Sequence, residues 1–278
     1  MKLTAMSLNI KLHALAEGRW PAVLDLVNNV RPDLLQLQEA DLLADPDDAE
    51  KTKRALGLKL TVAPSRQLNT AVAWNPKALD WLDTDTRYST TDLHHGYCAP
   101  RFKPRTDQEW PVPLVAISTH LTPFAAETAA AEAKVVIHRA YRYGGIGLIG
   151  GDINHLPLGD PEPDWEQVPP YDRVARCLPR ERPDDPWLGN RIVGQTFLNG
   201  DMTDIAAHLA ARDNNPELLR VTGEFGQIRT DQTHVTPALV PAIQDYQLVD
   251  PGGCTDHWGT VCTLDLARTD FSKTHVHP

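Results

Sequence analysis

The stretch Gly147–Pro157, GLIGGDINHLP, runs through apolar residues into two glycines and then sets out Asp152, Asn154 and His155. A short Leu/Ile run bounded by glycine reads as a buried strand. Residues two apart on a strand face the same way, so Asp152 and Asn154 are expected on one face, with His155 on the other as a loop residue. Gly150 and Gly151 would let this strand pass close beside its neighbours and the substrate. A turn accounts for an Asp and an Asn at a strand end. A catalytic wall accounts for them too, and it demands matching polar residues at the ends of other strands.

Such residues occur along the chain. SLNI ends a first strand on Asn9, LLQLQEA ends a second on Glu39, and ISTHL ends another on His120. IRTDQTHV carries Asp231 just ahead of a strand, and TDHWGTV carries Asp256 and His257 ahead of the last one. Singly, each is an ordinary turn former, solvated helix start or structural histidine. Together, in this order, they form a pattern that resembles the endonuclease/exonuclease/phosphatase superfamily, which includes pancreatic-type deoxyribonucleases, apurinic endonucleases, inositol polyphosphate phosphatases and neutral sphingomyelinases. The matching pieces span Asn9 to about Val261. Thr255 stands where Ser is usual before the Asp-His pair, keeping the hydroxyl, and Gln232 stands where an aromatic more often follows the Asp.

The resemblance implies an α/β fold, a four-layer sandwich of two mixed β-sheets packed face to face and flanked by helices. It implies magnesium, with manganese as the alternative, held mainly by Glu39, with Asn9 and Asp256 as ligands or immediate neighbours. His257 would contact the phosphate or act as general base, with Asp231 bonded to its far nitrogen. Asp152 would orient the attacking water or stabilise the leaving group, Asn154 would donate to a phosphate oxygen, and His120 would be a second phosphate-facing histidine. The residue types suit that chemistry: phosphate ester hydrolysis needs an activated water and a stabilised departing oxygen, and a hard divalent cation prefers oxygen ligands.

Composition sets the outer bounds. The 278 residues carry a net charge of -10, which argues against a protein that holds nucleic acid by bulk positive charge. An enzyme that meets phosphate through bound cations stays open. No apolar stretch approaches the ~20 residues of a membrane span. The N-terminal MKLTAMSLNIKLHAL has no continuous apolar core, so a secretory leader is not expected and a cytoplasmic location is. Cys98, Cys177, Cys254 and Cys262 lie far apart without a CxxC pair, as packing thiols would.

Strand patterns fall over 3–10, 33–38, 58–64, 70–74, 113–121, 146–152, 233–239 and 260–266, and helical patterns over 18–30, 46–56, 123–142 and 201–213. With no repeat or linker, residues 1–278 read as one domain. The Pro-rich segments 92–113 and 155–194 read as long loops. In the first, PRFKPR offers Arg101, Lys103 and Arg105 as a basic patch for a polyanionic substrate, or else a solvated loop. HHGYC (94–98) could hold a transition metal but lacks a second ligand pair. The leading expectation is a nuclease acting on DNA or RNA. A phosphatase or phospholipid phosphodiesterase on a small phosphoester is the alternative, and a catalytically silent binding module is a third reading.

Overall fold

A computed structural model describes residues 1–66, 68–223 and 227–275. Its strands are β1 (Lys2–Asn9), β2 (Leu34–Gln38), β3 (Lys59–Ala63), β4 (Thr70–Trp74), β5 (Leu79–Thr84), β6 (Tyr97–Cys98) and β7 (Pro100–Pro104). They continue with β8 (Leu114–His120), β9 (Gly147–Asp152), β10 (Thr203–Asp204), β11 (Asp231–Val235), β12 (Ile243–Val249) and β13 (Gly259–Asp265). The helices are α1 (Trp20–Val30), α2 (Pro46–Leu56), α3 (Ala126–Tyr141), α4 (Pro170–Arg176), α5 (Ile192–Asn199) and α6 (Ile205–Asp213).

Two mixed sheets result. One has the order β12-β13-β1-β2-β4-β3, and the other β10-β11-β9-β8-β7-β5 with β6 also paired to β8. The parallel pairs are β1–β2 and β8–β9, the central strands of each sheet. Those strands are buried on both faces and read accordingly as near-continuous apolar runs. Along β8 and β9, Ala116 and Leu148 face inward to a core shared with Leu34, Val72 and Leu264 of the other sheet. Ile117 and Ile149 face outward onto Ala133 and Val136 of α3 and Phe197 of α5. On the far side, Val23 and Val27 of α1 cover Met6, Leu8 and Leu35. Helix, sheet, sheet and helix make the four layers.

Toward one rim the inter-sheet core turns polar. Gln36 Nε2 donates to the Ile117 carbonyl at 2.6 Å and Gln38 Nε2 to Ser118 Oγ at 2.9 Å. Thr233 and Thr260 hydroxyls meet at 3.1 Å across the sheets. A Cβ on Gly150 would strike the Gln36 amide, and one on Gly151 would strike the Thr119 carbonyl oxygen of β8. Both glycines are therefore required by close approach of neighbouring chain, the first between sheets and the second within one.

Three local expectations are corrected. PRFKPR is not a loop: residues 100–104 form β7, whose prolines occupy its two ends while buried Phe102 anchors its middle. The segment 155–194 holds a 3-10 turn at Trp165–Gln167, α4 and the start of α5. The run 233–239 is strand only to Val235; Pro237, lacking an N–H, opens a 3-10 turn over Pro237–Ala242. Helix α6 begins at Ile205 because the Asp204 carboxylate caps it, accepting from Ala207 N at 3.2 Å. All four cysteines are buried and free, and among the described residues no helix is long and apolar enough to cross a membrane.

Candidate active site

Sheet register brings the site together. His120 of β8 lies beside Asp152 of β9, and Asp152 lies beside Asp231 of β11, so three adjacent strands present His, Asp and Asp in one row. In the other sheet Asn9 pairs with Gln38, which places Glu39, the next residue, at the same rim. Asp256 and His257 arrive from the turn before β13, held by Thr255 Oγ1 donating to the Asn9 carbonyl at 2.8 Å. The Thr hydroxyl thus supplies the anchor that TDH requires.

Asp152 is the hub. Its Oδ2 accepts from Asn9 Nδ2 at 3.1 Å and faces His120 Nε2 at 3.5 Å and His257 Nε2 at 3.8 Å. Asn9 Nδ2 also donates to Glu39 Oε1 at 3.0 Å, while Asn9 Oδ1 accepts from Lys11 N at 3.0 Å. Glu39 Oε2 accepts from Leu12 N at 2.7 Å, in reach because Glu39 adopts a left-handed backbone with φ of 57°. His257 Nδ1 and Asp231 Oδ2 are 2.8 Å apart, the bond expected of an oriented imidazole. The amide of Asp231 donates to Thr222 Oγ1 at 2.9 Å, which fixes the carboxylate beneath the ring.

Charge separates the roles. Burial disfavours a charged His257, but Asp231, Asp152 and Asp256 around it reverse that and push the imidazole up to about 10. Burial would raise the Asp152 carboxyl, yet His257, His120 and the Asn9 amide outweigh it and hold Asp152 below its ordinary value. Burial also raises Asp231 against the pull of His257. We place the shared proton on the imidazole, which has three carboxylates within 3.9 Å. A proton-bearing imidazolium therefore stands beside an ionised carboxylate, the pairing from which acid and base assignments follow.

The donor set suits a hard divalent cation. One ligand atom each from Asp152, Asp231 and His257 lies within 4.8 Å of the others, and the Glu39 and Asp256 carboxylates share the rim. Asp231 and His257 are already bonded to each other, which leaves Asp152 as the open member of that group, with the Glu39 carboxylate joined to it through the Asn9 amide. Asn9 bridges the Glu39 and Asp152 carboxylates through its amide nitrogen and so positions them, while its oxygen accepts from Lys11 N.

Asn154 lies past the end of β9, at φ of 63°, so strand alternation is not what places it near Asp152. Its backbone N–H donates to Asp152 Oδ1 at 3.0 Å, its Nδ2 to the Leu121 carbonyl at 2.9 Å, and its carbonyl accepts from Arg176 Nε at 2.8 Å. His155 is a loop residue as expected, past the end of β9, and it is fully buried, with Nε2 2.9 Å from the Thr122 carbonyl. Arg101, Lys103 and Arg105 are not at the site. Arg101 sits opposite Val115, five residues before His120 on β8, roughly 17 Å along the strand, and β7 leads away from there. Arg101 instead pairs with Asp83 and covers Tyr143, and Arg105 pairs with Asp80. In HHGYC, the His95 ring stacks on His120 at 4.4 Å, and burial, then His120 and His94, push it down to about 3; among the described residues it joins no group of three metal-ligating side chains. Sequence reasoning missed Thr222, Arg176 and Lys11, whose roles depend on backbone approach and carry no motif.

No family model matches the sequence, and no curated protein matches it. Solved structures do. The human Nocturnin catalytic domain aligns at 15% identity over 95% of this chain and 94% of its own, with a TM-score of 0.65. Zebrafish TDP2 complexed with a single-strand DNA product aligns at 14% identity over 95% and 99%, TM-score 0.62. An endonuclease/exonuclease/phosphatase from Bacteroides vulgatus aligns at 12% identity over 96% and 99%, TM-score 0.62. The chain has the endonuclease/exonuclease/phosphatase fold. In that fold the polar row of His120, Asp152 and Asp231 and the Asn9–Glu39 bridge occupy one rim of the paired sheets.

Proposed function

We propose that the chain is a divalent-metal-dependent phosphoesterase, and specifically a nuclease that hydrolyses phosphodiester bonds of DNA or RNA with magnesium or manganese. The single observation that carries this reading is the Asp231–His257 pair aimed at Asp152 across 3.8 Å, with His120 Nε2 on the same carboxylate. Two histidine N–H groups converging beside a buried carboxylate can hold a phosphate oxygen and a water together. Asp152 orients and draws the proton from that water. His257, charged and fixed by Asp231, donates from Nε2 to a phosphate oxygen, and His120 does so from the other side. Glu39 and Asp256, with Asp152, would hold the cation, which supplies charge neutralisation for the departing oxygen. Asn9 keeps Glu39 and Asp152 in register. The single-strand DNA product in the TDP2 structure supports a nucleic-acid substrate.

The test is cleavage of plasmid, single-stranded DNA and RNA beside inositol phosphates and nucleotides, with EDTA and with added magnesium. The expected result is metal-restored cleavage of a nucleic acid, lost in both Asp152→Ala and His257→Ala. Turnover confined to the small phosphoesters would remove the nuclease assignment. Cleavage that survives both substitutions would remove the site.

A further inference from the structure

Beside the catalytic rim a groove of about 590 Å³ opens between Lys11, Thr255 and Asp256 on one side and Arg220, Gly223 and Trp258 on the other. Trp258 follows His257 directly, and its backbone N–H donates to the Thr222 carbonyl at 2.8 Å, so the segment carrying Arg220 is laced to the catalytic turn. Gly223 bridges His257 itself, so the groove shares a wall with the catalytic turn. The Arg220 guanidinium lies over the Trp258 ring, 4.5 Å from its centroid. Lys11, ion-paired to Asp256 at 3.0 Å, reaches the groove with its side chain 44% exposed. In a chain of net charge -10, an aromatic ring and the Lys11 and Arg220 cations beside Asp256 and the catalytic turn form a local environment suited to a base and a phosphate.

We propose that this groove is a nucleotide subsite: a base flanking the scissile phosphate joins the Arg220–Trp258 stack, and its backbone phosphate meets Lys11. Stacking is sequence-tolerant, because every base has a π-face, so the subsite selects polynucleotides over small phosphoesters without selecting a sequence. This inference rests on the nuclease reading and names what makes that site prefer a polymer.

The experiment compares kcat/KM on a single-stranded oligonucleotide with one in which a tetrahydrofuran spacer replaces the nucleotide on either side of the cleaved bond in turn. In the wild-type protein, loss of the flanking base on one side is expected to cost about tenfold, the factor that ~1.4 kcal/mol of stacking supplies. That ratio should fall to within twofold of one in Trp258→Ala and in Arg220→Ala, and return above fivefold in Trp258→Phe. A ratio rather than a rate is read because general damage to the catalytic turn lowers both substrates alike. Arg220 is exposed, so Arg220→Ala decides the matter if Trp258→Ala does not fold. A wild-type ratio near one, or a tenfold ratio persisting in Arg220→Ala, overturns the subsite while leaving metal-dependent cleavage intact. Failure of the wild type to cleave either oligonucleotide sinks the nuclease reading and this inference with it.

Discussion

Asp231→Asn keeps the shape of the dyad and removes its charge. His257 sits at about 10 against an ordinary value of 6.5, a displacement that corresponds to roughly 5 kcal/mol favouring the imidazolium. Burial opposes that displacement, and Asp231, Asp152 and Asp256 produce it, with Asp231 the nearest at 2.8 Å. Assigning Asp231 about half of the effect gives 2–3 kcal/mol, or about two pH units. The variant's imidazole should therefore titrate near 8 or below in metal-free protein, followed by NMR of the His257 ring. A raised folded-state value stabilises fully below pH 6.5, and the contribution is lost as pH rises through about 10. Wild type and Asp231→Asn should thus differ most in unfolding free energy at pH 6 and converge above pH 10. On the catalytic side, a neutral partner leaves the ring able to flip its tautomer, and kcat should drop on the order of 10³–10⁴. A wild-type His257 titrating near 6.5, or a variant unmoved from wild type, would refute the electrostatic argument.

Three further outcomes test the frame around the site. Gly151→Ala should destabilise by about 3 kcal/mol, more than Gly150→Ala, because its Cβ meets the backbone carbonyl of Thr119 whereas Gly150 meets the end of the Gln36 side chain; denaturant melts rank them, and equal costs would contradict the close-approach account. Arg229 is fully buried between Asp160 at 2.8 Å and Asp204 at 2.7 Å, so Arg229→Met should leave two buried like charges and cost about 3–5 kcal/mol, read as a lowered unfolding midpoint. Replacing Arg101, Lys103 and Arg105 together with alanine should leave KM for nucleic acid within twofold, since β7 lies at the far end of β8 from His120; a tenfold rise would return those residues to substrate binding.

The strand-end residues were legible in the sequence because a rim site on a sandwich is written as a polar residue closing an apolar run. Asn9, Glu39, His120 and Asp152 obey that grammar, while Asp231, Asp256 and His257 stand at or just ahead of the start of a strand, and all seven meet. Asn154 obeys it too, but its placement comes from a left-handed backbone that no alternation rule encodes. The strands missed entirely are β5, β6, β7, β10 and β12. β5 and β12 are half-exposed strands at the ends of their sheets, where water replaces packing on one face and the apolar run that marks a strand is absent. β7 was hidden by its terminal prolines, and the basic residues it carries drew a functional reading because charge is visible in a sequence while distance is not.

The division between Asp152 and His257 follows from burial and partners rather than from residue type. Both are almost closed off from water, and burial alone would neutralise each of them. They stay charged because His257, His120 and Asn9 hold the carboxylate, and Asp231, then Asp152 and Asp256, hold the imidazole. The cost of burying two charges is met by keeping them within 3.8 Å of each other. A phosphate oxygen entering beside His257 would displace Asp152 as the imidazolium's partner and leave that carboxylate seeking a proton donor, which is the condition under which it draws on a water. Substrate binding and activation of the nucleophile are then one electrostatic event, and Asp152→Asn should weaken turnover far more than phosphate binding, a split that inorganic phosphate competition against wild-type and variant protein would read directly.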